Sequence, residues 1–298
     1  MPHDPARPDL YARVTDAIVA DLEAGVRPWT KPWTCGGRGG PVSRPLRANG
    51  QPYSGVNVLL LWSEALAHGF TAPTWMTFRQ AQGLGAQVRR GEHGATVVYA
   101  NRIRRVEDRG EQGEVERSIP FLKAYTVFNV AQIDGLPAGS QAEAPVAPAP
   151  ERRIERAHAF FEATGARVRY GGEAGYYAPG PDHIQLPAEA SFPDIVDFYA
   201  TQAHESVHWT RPPTRLNRDF GRKRWGDEGY AREELVAELG AAFLCADLGL
   251  ELRPRRDHAD YIGAWLKVLK GDKRFVFTAA GHAQKACDYL HGLQPPAG

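Results

Sequence analysis

The spacing of apolar and polar positions predicts mixed helix and strand in the first half of the chain. Apolar side chains recur at every fourth residue over 9–23, which predicts a helix there, and further helices are predicted at 58–68, which Gly69 ends, and at 77–83. Alternation of apolar and polar residues predicts strands near Val88 and over 96–99 and 123–128. The polar stretch 107–117 is expected to be a hairpin tip or a loop. Together these elements make a small α+β domain.

The second half has the same mixture and follows a stretch rich in Pro and Ala at 136–152, which is typical of a linker. Strands are predicted at 166–170, 175–178 and 183–187. Helices are predicted at 151–164, from Asp194 through 204–208, and at 230–248, 259–269 and 275–290. The fold class is therefore α+β with two domains, 1–135 and 153–298. The two halves should move relative to each other.

The sequence H-E-x-x-H occupies residues 204–208 inside one of the predicted helices. Residues four apart share a helix face, so His204 and His208 can offer two imidazoles to one metal ion. Glu205 beside them is placed to take a proton from the attacking water, as in zinc peptidases. Two histidines alone are more often ordinary surface or core residues, but here the pattern falls on a helix. We therefore predict a Zn²⁺ site.

Catalytic zinc usually has three protein ligands and one open position, so a third ligand is required. The candidates lie on the next apolar helix, where Glu234 and Glu238 are four apart and share a face. We assign Glu234 as the ligand and Glu238 as the carboxylate that orients a ligating histidine, and the reverse assignment stays open. Glu233 fits a solvated helix face better. Tyr230 is the candidate donor to the oxyanion.

Aromatic residues next to cations in the first half indicate a second kind of chemistry. Bases of single-stranded nucleic acid stack on aromatic rings, while Arg and Lys follow the phosphates. The candidates are Trp29, Lys31, Trp33, Arg44, Arg47, Tyr53, Arg79, Arg89 and Arg90. The alternative is that most of the tryptophans are core residues, as Trp62 and Trp75 are expected to be. Residue types alone do not decide between the two.

Two further features border the predicted metal helix. The segment 211–224 holds six cations, which make either an ordinary solvated loop or a rim that faces phosphates or an acidic substrate. The strand 183–187 shortly before the helix is a plausible sheet edge, to which an extended peptide substrate could add itself.

Composition predicts a soluble globular protein but does not identify its function. The chain has 298 residues, 43% of them apolar and 24% charged, which is typical of a soluble globular protein of about two domains. No apolar run is long enough to span a membrane and the N-terminus lacks the apolar core of a secretory signal, so a cytoplasmic protein is expected. Cys35, Cys245 and Cys287 are expected to be free thiols. The net charge of +1 argues neither for nor against nucleic acid.

Several motifs, in the same order, resemble the antirestriction protein ArdC family. Those of the first half resemble the family's N-terminal domain and are Tyr11–Ile18, Leu22–Trp29, Lys31–Trp33, Tyr53–Asn57, Trp75–Ala81 and Gly91–Gly94. Those of the second half resemble its zincin-type metallopeptidase domain and are His204–Thr210 and Tyr230–Leu239. The resemblance covers nearly the whole chain except the linker.

The resemblance implies a protein of a plasmid or another mobile element that binds single-stranded DNA, carries a Zn²⁺ peptidase-like domain and protects incoming DNA from host restriction. Its peptide substrate would be a host restriction protein or another DNA-bound protein. Three interpretations stay open. The protein is a peptidase tethered to DNA, a protein that shields DNA without needing the metal, or a protein whose zinc is purely structural.

Overall fold

The computed structural model describes residues 9–27, 29, 43–108, 114–139, 149–221, 224, 226–250 and 259–296, with backbone alone at 102–108, 114–120 and 259–260. Helices and strands are mixed in both halves, which confirms the α+β class. No helix within these ranges is both long enough and apolar enough to cross a bilayer.

The helices of the first half begin and end within two residues of the predicted bounds. They are α1 (Leu10–Glu23), α2 (Val56–His68) and α3 (Phe78–Gly83). The Asp9 carboxylate caps α1 by accepting a hydrogen bond from the backbone N–H of Tyr11. Gly69 ends α2 with a positive φ. Thr77 and Gln80 exchange side-chain and backbone bonds at the start of α3.

Six strands complete the first half. They are β1 (Leu46–Arg47), β2 (Thr74–Met76), β3 (Gln87–Val88), β4 (Ala95–Asp108), β5 (Glu114–Asn129) and β6 (Ile133–Asp134). Four form a sheet in the order β1-β2-β5-β4, and β3 pairs with β6. The β4–β5 ribbon is paired from Ala95 and Val127 out to Asp108 and Glu114. Of the two predictions for 107–117, the antiparallel pairing favours the hairpin tip over a loop, but the strands continue to Asp108 and from Glu114, so the unpaired part is shorter than predicted.

A second sheet of three short strands lies beside the helix that carries the H-E-x-x-H sequence. Its strands are β7 (Val168–Tyr170), β8 (Tyr176–Ala178) and β9 (His183–Leu186), in the order β7-β9-β8. The predicted edge strand β9 is thus the central one, because β7 runs parallel to one side of it and β8 folds back against the other. Within the described chain, the free edges belong to β7 and β8.

The helices of the second half are α4 (Pro150–Ala163), α5 (Ile195–Trp209), α6 (Glu228–Leu248), α7 (Ala259–Gly271) and α8 (Phe275–Gly292). In α6, 18 of the 21 residues are buried, so this helix has no solvated stripe. It packs on α5, where a Cβ added to Gly240 would lie 2.6 Å from a methyl carbon of Val207. This close approach brings the acidic residues of α6 to the histidines of α5.

One hydrophobic core joins the two halves. Among the described residues it extends from α1 and α2 to α5, α6 and α8. Trp62 of α2 packs edge to face on Phe243 of α6, with ring centroids 5.9 Å apart. Arg44 forms an ion pair with Asp247 at 2.9 Å. The expectation that the halves move relative to each other is not supported, because separating them would expose this shared apolar surface.

Candidate metal centre

The two histidines of the H-E-x-x-H sequence converge on one point. His204 and His208 lie one turn apart on α5, and their Nε2 atoms are 3.1 Å apart. Both residues are buried, in a part of the helix that is enclosed from Phe198 to Trp209. Each ring therefore presents the same nitrogen to one small volume, as two ligands of a single ion must.

Glu234 of α6 completes a cluster of three residues. Its Oε2 lies 3.4 Å from His204 Nε2, and its Oε1 lies 3.4 Å from His208 Nε2. The three residues offer ligand atoms within 4.8 Å of one another, and the described part of the chain holds no other such group. Two imidazole nitrogens and a carboxylate oxygen are a donor set that suits a divalent metal ion. This arrangement supports Glu234, rather than Glu238, as the third ligand.

Glu233 belongs to the site, although the sequence pattern favours a solvated position for it. Glu233 is 2% exposed, and its Oε1 lies 3.1 Å from His208 Nδ1. The Arg218 guanidinium donates hydrogen bonds of 2.8 and 2.7 Å to its two oxygens. Burial raises the pKa of Glu233, but the bonds from Arg218 and His208 outweigh burial and hold that pKa below its usual range. The solvated assignment is wrong because α6 is buried on every side.

Glu238 faces the other histidine. Its Oε2 lies 3.8 Å from His204 Nδ1, and its Oε1 accepts a hydrogen bond of 3.3 Å from the indole N–H of Trp29. Glu233 and Glu238 thus stand behind one histidine each. Glu233 is close enough to hydrogen-bond Nδ1 of His208, which leaves Nε2 of that ring for a metal, whereas Glu238 acts on the His204 ring through its charge at 3.8 Å.

The cluster has a negative charge that favours a bound cation. Burial lowers the pKa of His208, but the charge of Glu234 and the hydrogen bond to Glu233 outweigh burial and raise that pKa to about 10. Burial raises the pKa of Glu234, yet His208 and His204 hold it far below its usual range. A proton on His208 therefore neutralises part of the charge. A divalent ion would displace that proton, since a ligating imidazole must be neutral.

The carboxylate of Glu205 faces the residue before β8. Glu205 is buried, and a Cβ placed on Gly175 would lie 3.7 Å from its Oε1 and 2.9 Å from a methyl carbon of Thr201. Only a residue without a Cβ lets the chain pass this close to α5. The candidate general base is therefore covered by the start of a strand that has a free sheet edge.

Tyr230 is placed to keep its hydroxyl proton. Its oxygen lies 3.0 Å from the hydroxyl oxygen of Tyr261. Burial, followed by the negative charge of Glu234, raises the pKa of Tyr230 above its usual range. The hydroxyl can therefore donate a hydrogen bond, as a donor to an oxyanion must.

Three of the predicted nucleic-acid residues are buried, and the prediction is corrected for them. Trp29 is 2% exposed in the shared core. Arg44 is bound to Asp247, and Tyr53 is buried below the guanidinium of Arg47, which lies 5.3 Å from its ring centroid. None of the three reaches a base or a phosphate without opening the core. At these positions an aromatic residue near a cation in the sequence indicates packing in the core, and not a surface for nucleic acid.

The other candidates are exposed cations or lie outside the described residues. The exposed ones are Arg47, Arg79, Arg89 and Arg90. Arg89 is already bound to the carboxylates of Glu92 and Asp134, at 2.8 and 3.3 Å, which makes it a weaker candidate for a phosphate. Lys31 and Trp33 lie outside the described residues.

Two cations of the segment 211–224 are bound within the domain. Arg218 holds Glu233, and Arg215 pairs with Asp182 at 2.6 Å. The interpretation of this segment as a rim that faces phosphates is therefore not supported at these two positions.

A surface that the sequence pattern did not single out lies on the β4–β5 ribbon. Tyr99 and Tyr125 are 48% and 47% exposed. Tyr99 stands opposite Lys123 in the strand register, and its ring centroid is 6.2 Å from that of Phe121. Lys123 Nζ lies 5.4 Å from the same Phe121 centroid. By strand parity these four side chains share one face, which we call the ribbon face.

The fold and the three-residue cluster define a zincin-like metallopeptidase domain that follows an N-terminal α+β domain. A family model described as a zincin-like metallopeptidase matches residues 155–282, and the model for the N-terminal domain of anti-restriction factor ArdC matches residues 8–128. The chain belongs to the ArdC antirestriction family. The resemblance of the sequence motifs is thereby confirmed.

Individual relatives agree with this assignment. The metal-free crystal structure of antirestriction ArdC protein from the R388 plasmid is 45% identical, with a TM-score of 0.79 over 96% of this chain and 98% of that chain. The Mn(II)-bound structure is 43% identical, with a TM-score of 0.78 over the same shares. The uncharacterized protein y4eC of Sinorhizobium fredii is 42% identical over 97% of this chain and 94% of its own. DNA primase TraC of Escherichia coli is 37% identical over 94% of this chain, which spans 27% of TraC.

Proposed function

We propose that this protein protects incoming mobile-element DNA from host restriction by binding single-stranded DNA and cleaving a DNA-bound protein at a Zn²⁺ site. The observation that carries the peptidase part is the buried cluster of His204, His208 and Glu234 with Glu205 beside His204. Two imidazoles and one carboxylate favour zinc, and Mn²⁺ or Co²⁺ can occupy such sites. The Mn(II)-bound ArdC structure supports the binding of a divalent metal.

The proposed reaction is peptide hydrolysis with a single proton carrier. A bound divalent ion supplies the Lewis acidity that polarises the scissile carbonyl and activates the attacking water. Glu205 accepts a proton from that water as its oxygen bonds to the carbonyl carbon, and gives the proton to the amine as the C–N bond breaks. Tyr230 donates a hydrogen bond to the carbonyl oxygen as negative charge develops on it. Glu233 and Glu238 hold the two imidazole rings in orientation.

The free edge of β8 is the proposed position of the peptide substrate. An extended peptide can add itself to an exposed strand through backbone hydrogen bonds, without a required side-chain sequence. Gly175 begins this part of the chain next to Glu205, so a peptide paired with β8 would pass close to the general base. The proposal thus moves the peptide from the central strand β9 to the edge strand β8.

The ribbon face is the proposed platform for single-stranded DNA. Two half-exposed tyrosines offer flat rings to bases, and Lys123 adds a cation for the phosphates between them. The exposed Arg47, Arg79 and Arg90 remain candidates for further phosphate contacts. This surface takes the role that the sequence pattern predicts for Trp29 and Tyr53, both of which are buried.

Replacing Tyr99 or Tyr125 by alanine is expected to weaken binding of a single-stranded oligonucleotide by about 1–3 kcal/mol per ring, since each ring would lose one stacked base. Fluorescence anisotropy with labelled oligothymidylate measures the affinity. Tyr170→Ala is the matched control, because Tyr170 is also exposed but lies on β7 of the other half. If Tyr99→Ala and Tyr125→Ala bind the oligonucleotide as tightly as Tyr170→Ala, the ribbon face is not the platform.

The proposed function as a whole is tested by plasmid transfer into restricting and non-restricting recipients. We expect the wild-type protein to raise transfer into the restricting recipient, and Glu205→Gln to lose that protection while its affinity for single-stranded DNA stays unchanged. Full protection by Glu205→Gln would instead favour a protein that shields DNA without cleavage. Unfolding of the second half on chelation of the metal would favour a purely structural zinc.

A further inference from the structure

Trp29 connects the first half of the chain to the metal centre. Its indole N–H donates a hydrogen bond of 3.3 Å to Oε1 of Glu238, although the two residues are 209 positions apart in the sequence. The other oxygen of Glu238 lies 3.8 Å from Nδ1 of His204. The indole therefore acts on the carboxylate that stands behind one of the proposed metal ligands.

The hydrogen bond between Trp29 and Glu238 is buried, which makes its loss more costly. Trp29 is 2% exposed and Glu238 is 3% exposed, so little water is available to replace the indole as a donor. A buried carboxylate that loses a hydrogen-bond donor pays a larger penalty than one at the surface. An indole can only donate, so it engages Oε1 as an acceptor, while Oε2 is turned toward Nδ1 of His204 at 3.8 Å.

The ring of Trp29 is itself held by a row of aromatic residues from the second half. It packs edge to face on Trp265 with centroids 6.0 Å apart, and Trp265 stacks on Tyr261 at 6.1 Å. The hydroxyl of Tyr261 lies 3.0 Å from that of Tyr230, whose pKa is raised in part by the charge of Glu234. The same row thus reaches the candidate oxyanion donor on the other side of the cluster.

We infer that Trp29 is a positioning residue of the metal centre, and that the centre takes one of its supporting groups from the N-terminal half. By fixing the carboxylate of Glu238, Trp29 keeps the His204 ring oriented with Nε2 toward the ion. The inference rests on the proposed metal-binding role of His204, His208 and Glu234. If Trp29 has this role, the shared core of the two halves helps to orient the metal ligands as well as stabilising the fold.

Trp29→Phe in the full chain tests the inference, because phenylalanine keeps an aromatic ring in the core and removes the N–H. Loss of the direct partner of a ligating histidine costs 10- to 100-fold in metal affinity, so a residue acting through that partner should cost about 3- to 10-fold. Mn²⁺ alone is titrated into the metal-free protein by calorimetry. Thermal unfolding of the metal-free protein is measured in parallel.

Trp62→Phe is the matched control. Trp62 is buried in the same half, and its indole N–H donates a bond of 3.1 Å to the backbone carbonyl of Ser43, away from the metal centre. We expect Trp62→Phe to lower the melting temperature but to leave Mn²⁺ affinity unchanged. A loss of affinity that is equal in Trp29→Phe and Trp62→Phe would overturn the inference.

Combining Glu238→Gln with Trp29→Phe tests whether the two residues act as one unit on the metal site. If Trp29 acts through Glu238, adding Trp29→Phe to Glu238→Gln should reduce Mn²⁺ affinity by less than it does in the wild-type background. Fully additive losses would contradict the inference. Failure of the wild-type protein to bind Mn²⁺ would reject the proposed metal site itself. That outcome is distinct from a failure of the positioning role of Trp29.

Discussion

Replacement of Glu205 by glutamine is expected to slow peptide cleavage by about 100- to 10,000-fold, the range for loss of a general acid–base group. Glutamine has nearly the same shape as glutamate and fits the space below Gly175. It cannot accept a proton from the attacking water, however. Because Glu205 is not one of the proposed ligands, the affinity for Mn²⁺ should stay within about twofold of wild type, far less than the loss from an altered ligand partner.

The measurement is the single-turnover cleavage rate on a library of fluorescence-quenched peptides, with wild-type protein loaded with Zn²⁺. Glu173→Gln is the control, because Glu173 is an exposed acid of the same half near the start of β8. Glu173→Gln should cleave the peptides at the wild-type rate. Cleavage by Glu205→Gln at the wild-type rate would remove Glu205 as the proton carrier and, with it, the proposed reaction.

Replacement of Arg218 by methionine is expected to lower the free energy of unfolding of the metal-free protein by about 3–5 kcal/mol, the cost of removing one partner of a buried ion pair. The side chains of Arg218 and Glu233 are 0% and 3% exposed, so the remaining carboxylate would be left without its main donor and away from water. Urea denaturation measures the change.

Two further variants separate charge from packing. Lys270→Met removes an ion pair with Glu23 in which both side chains are about half exposed, and should lower the free energy of unfolding by less than about 1 kcal/mol.

The double variant Arg218→Met with Glu233→Leu should recover most of the stability, because a well-packed apolar pair can replace a buried ion pair. It should still lose about 10- to 100-fold in Mn²⁺ affinity, since His208 has no partner. A cost for Arg218→Met as small as that for Lys270→Met would contradict the account.

The helix and the two histidines of the metal centre could be predicted because they depend on local sequence. The spacing of His204 and His208 needs only helical periodicity, and the apolar stripe before them supplies it. The sequence narrows the third ligand to Glu234 or Glu238 and favours Glu234, but it leaves the reverse assignment open. That choice depends on how α6 packs against α5, which the close contact of Gly240 with Val207 determines.

The solvated position predicted for Glu233 is wrong because the partners of its carboxylate, Arg218 and His208, lie outside its own helix. Arg218 reaches it from the segment that folds back between α5 and α6. One signal was present in the sequence. From residue 235 onward α6 is apolar apart from Glu238 and Asp247, and a helix this apolar is buried, so an acid at its beginning requires a partner.

The nucleic-acid residues were the least predictable part. A tryptophan beside a cation has the same local sequence whether it stacks on bases or fills a core, and Trp29 and Arg44 turn out to be held by residues more than 200 positions away. The ribbon face depends on where the β4–β5 pair extends beyond the core. Val97 and Val127 are buried while Tyr99 and Tyr125, next along the same face, are exposed. The alternation of apolar and polar residues alone does not show where one face of the ribbon passes from buried to exposed.

The most direct measurement is a crystal structure of the protein loaded with Mn²⁺, with the ion located by its anomalous scattering. The account predicts one strong peak at bonding distance from Nε2 of His204, Nε2 of His208 and a carboxylate oxygen of Glu234. Glu233 and Glu238 should remain behind the two rings. A peak bound by Glu238 in place of Glu234, or no peak between the two histidines, would contradict the account.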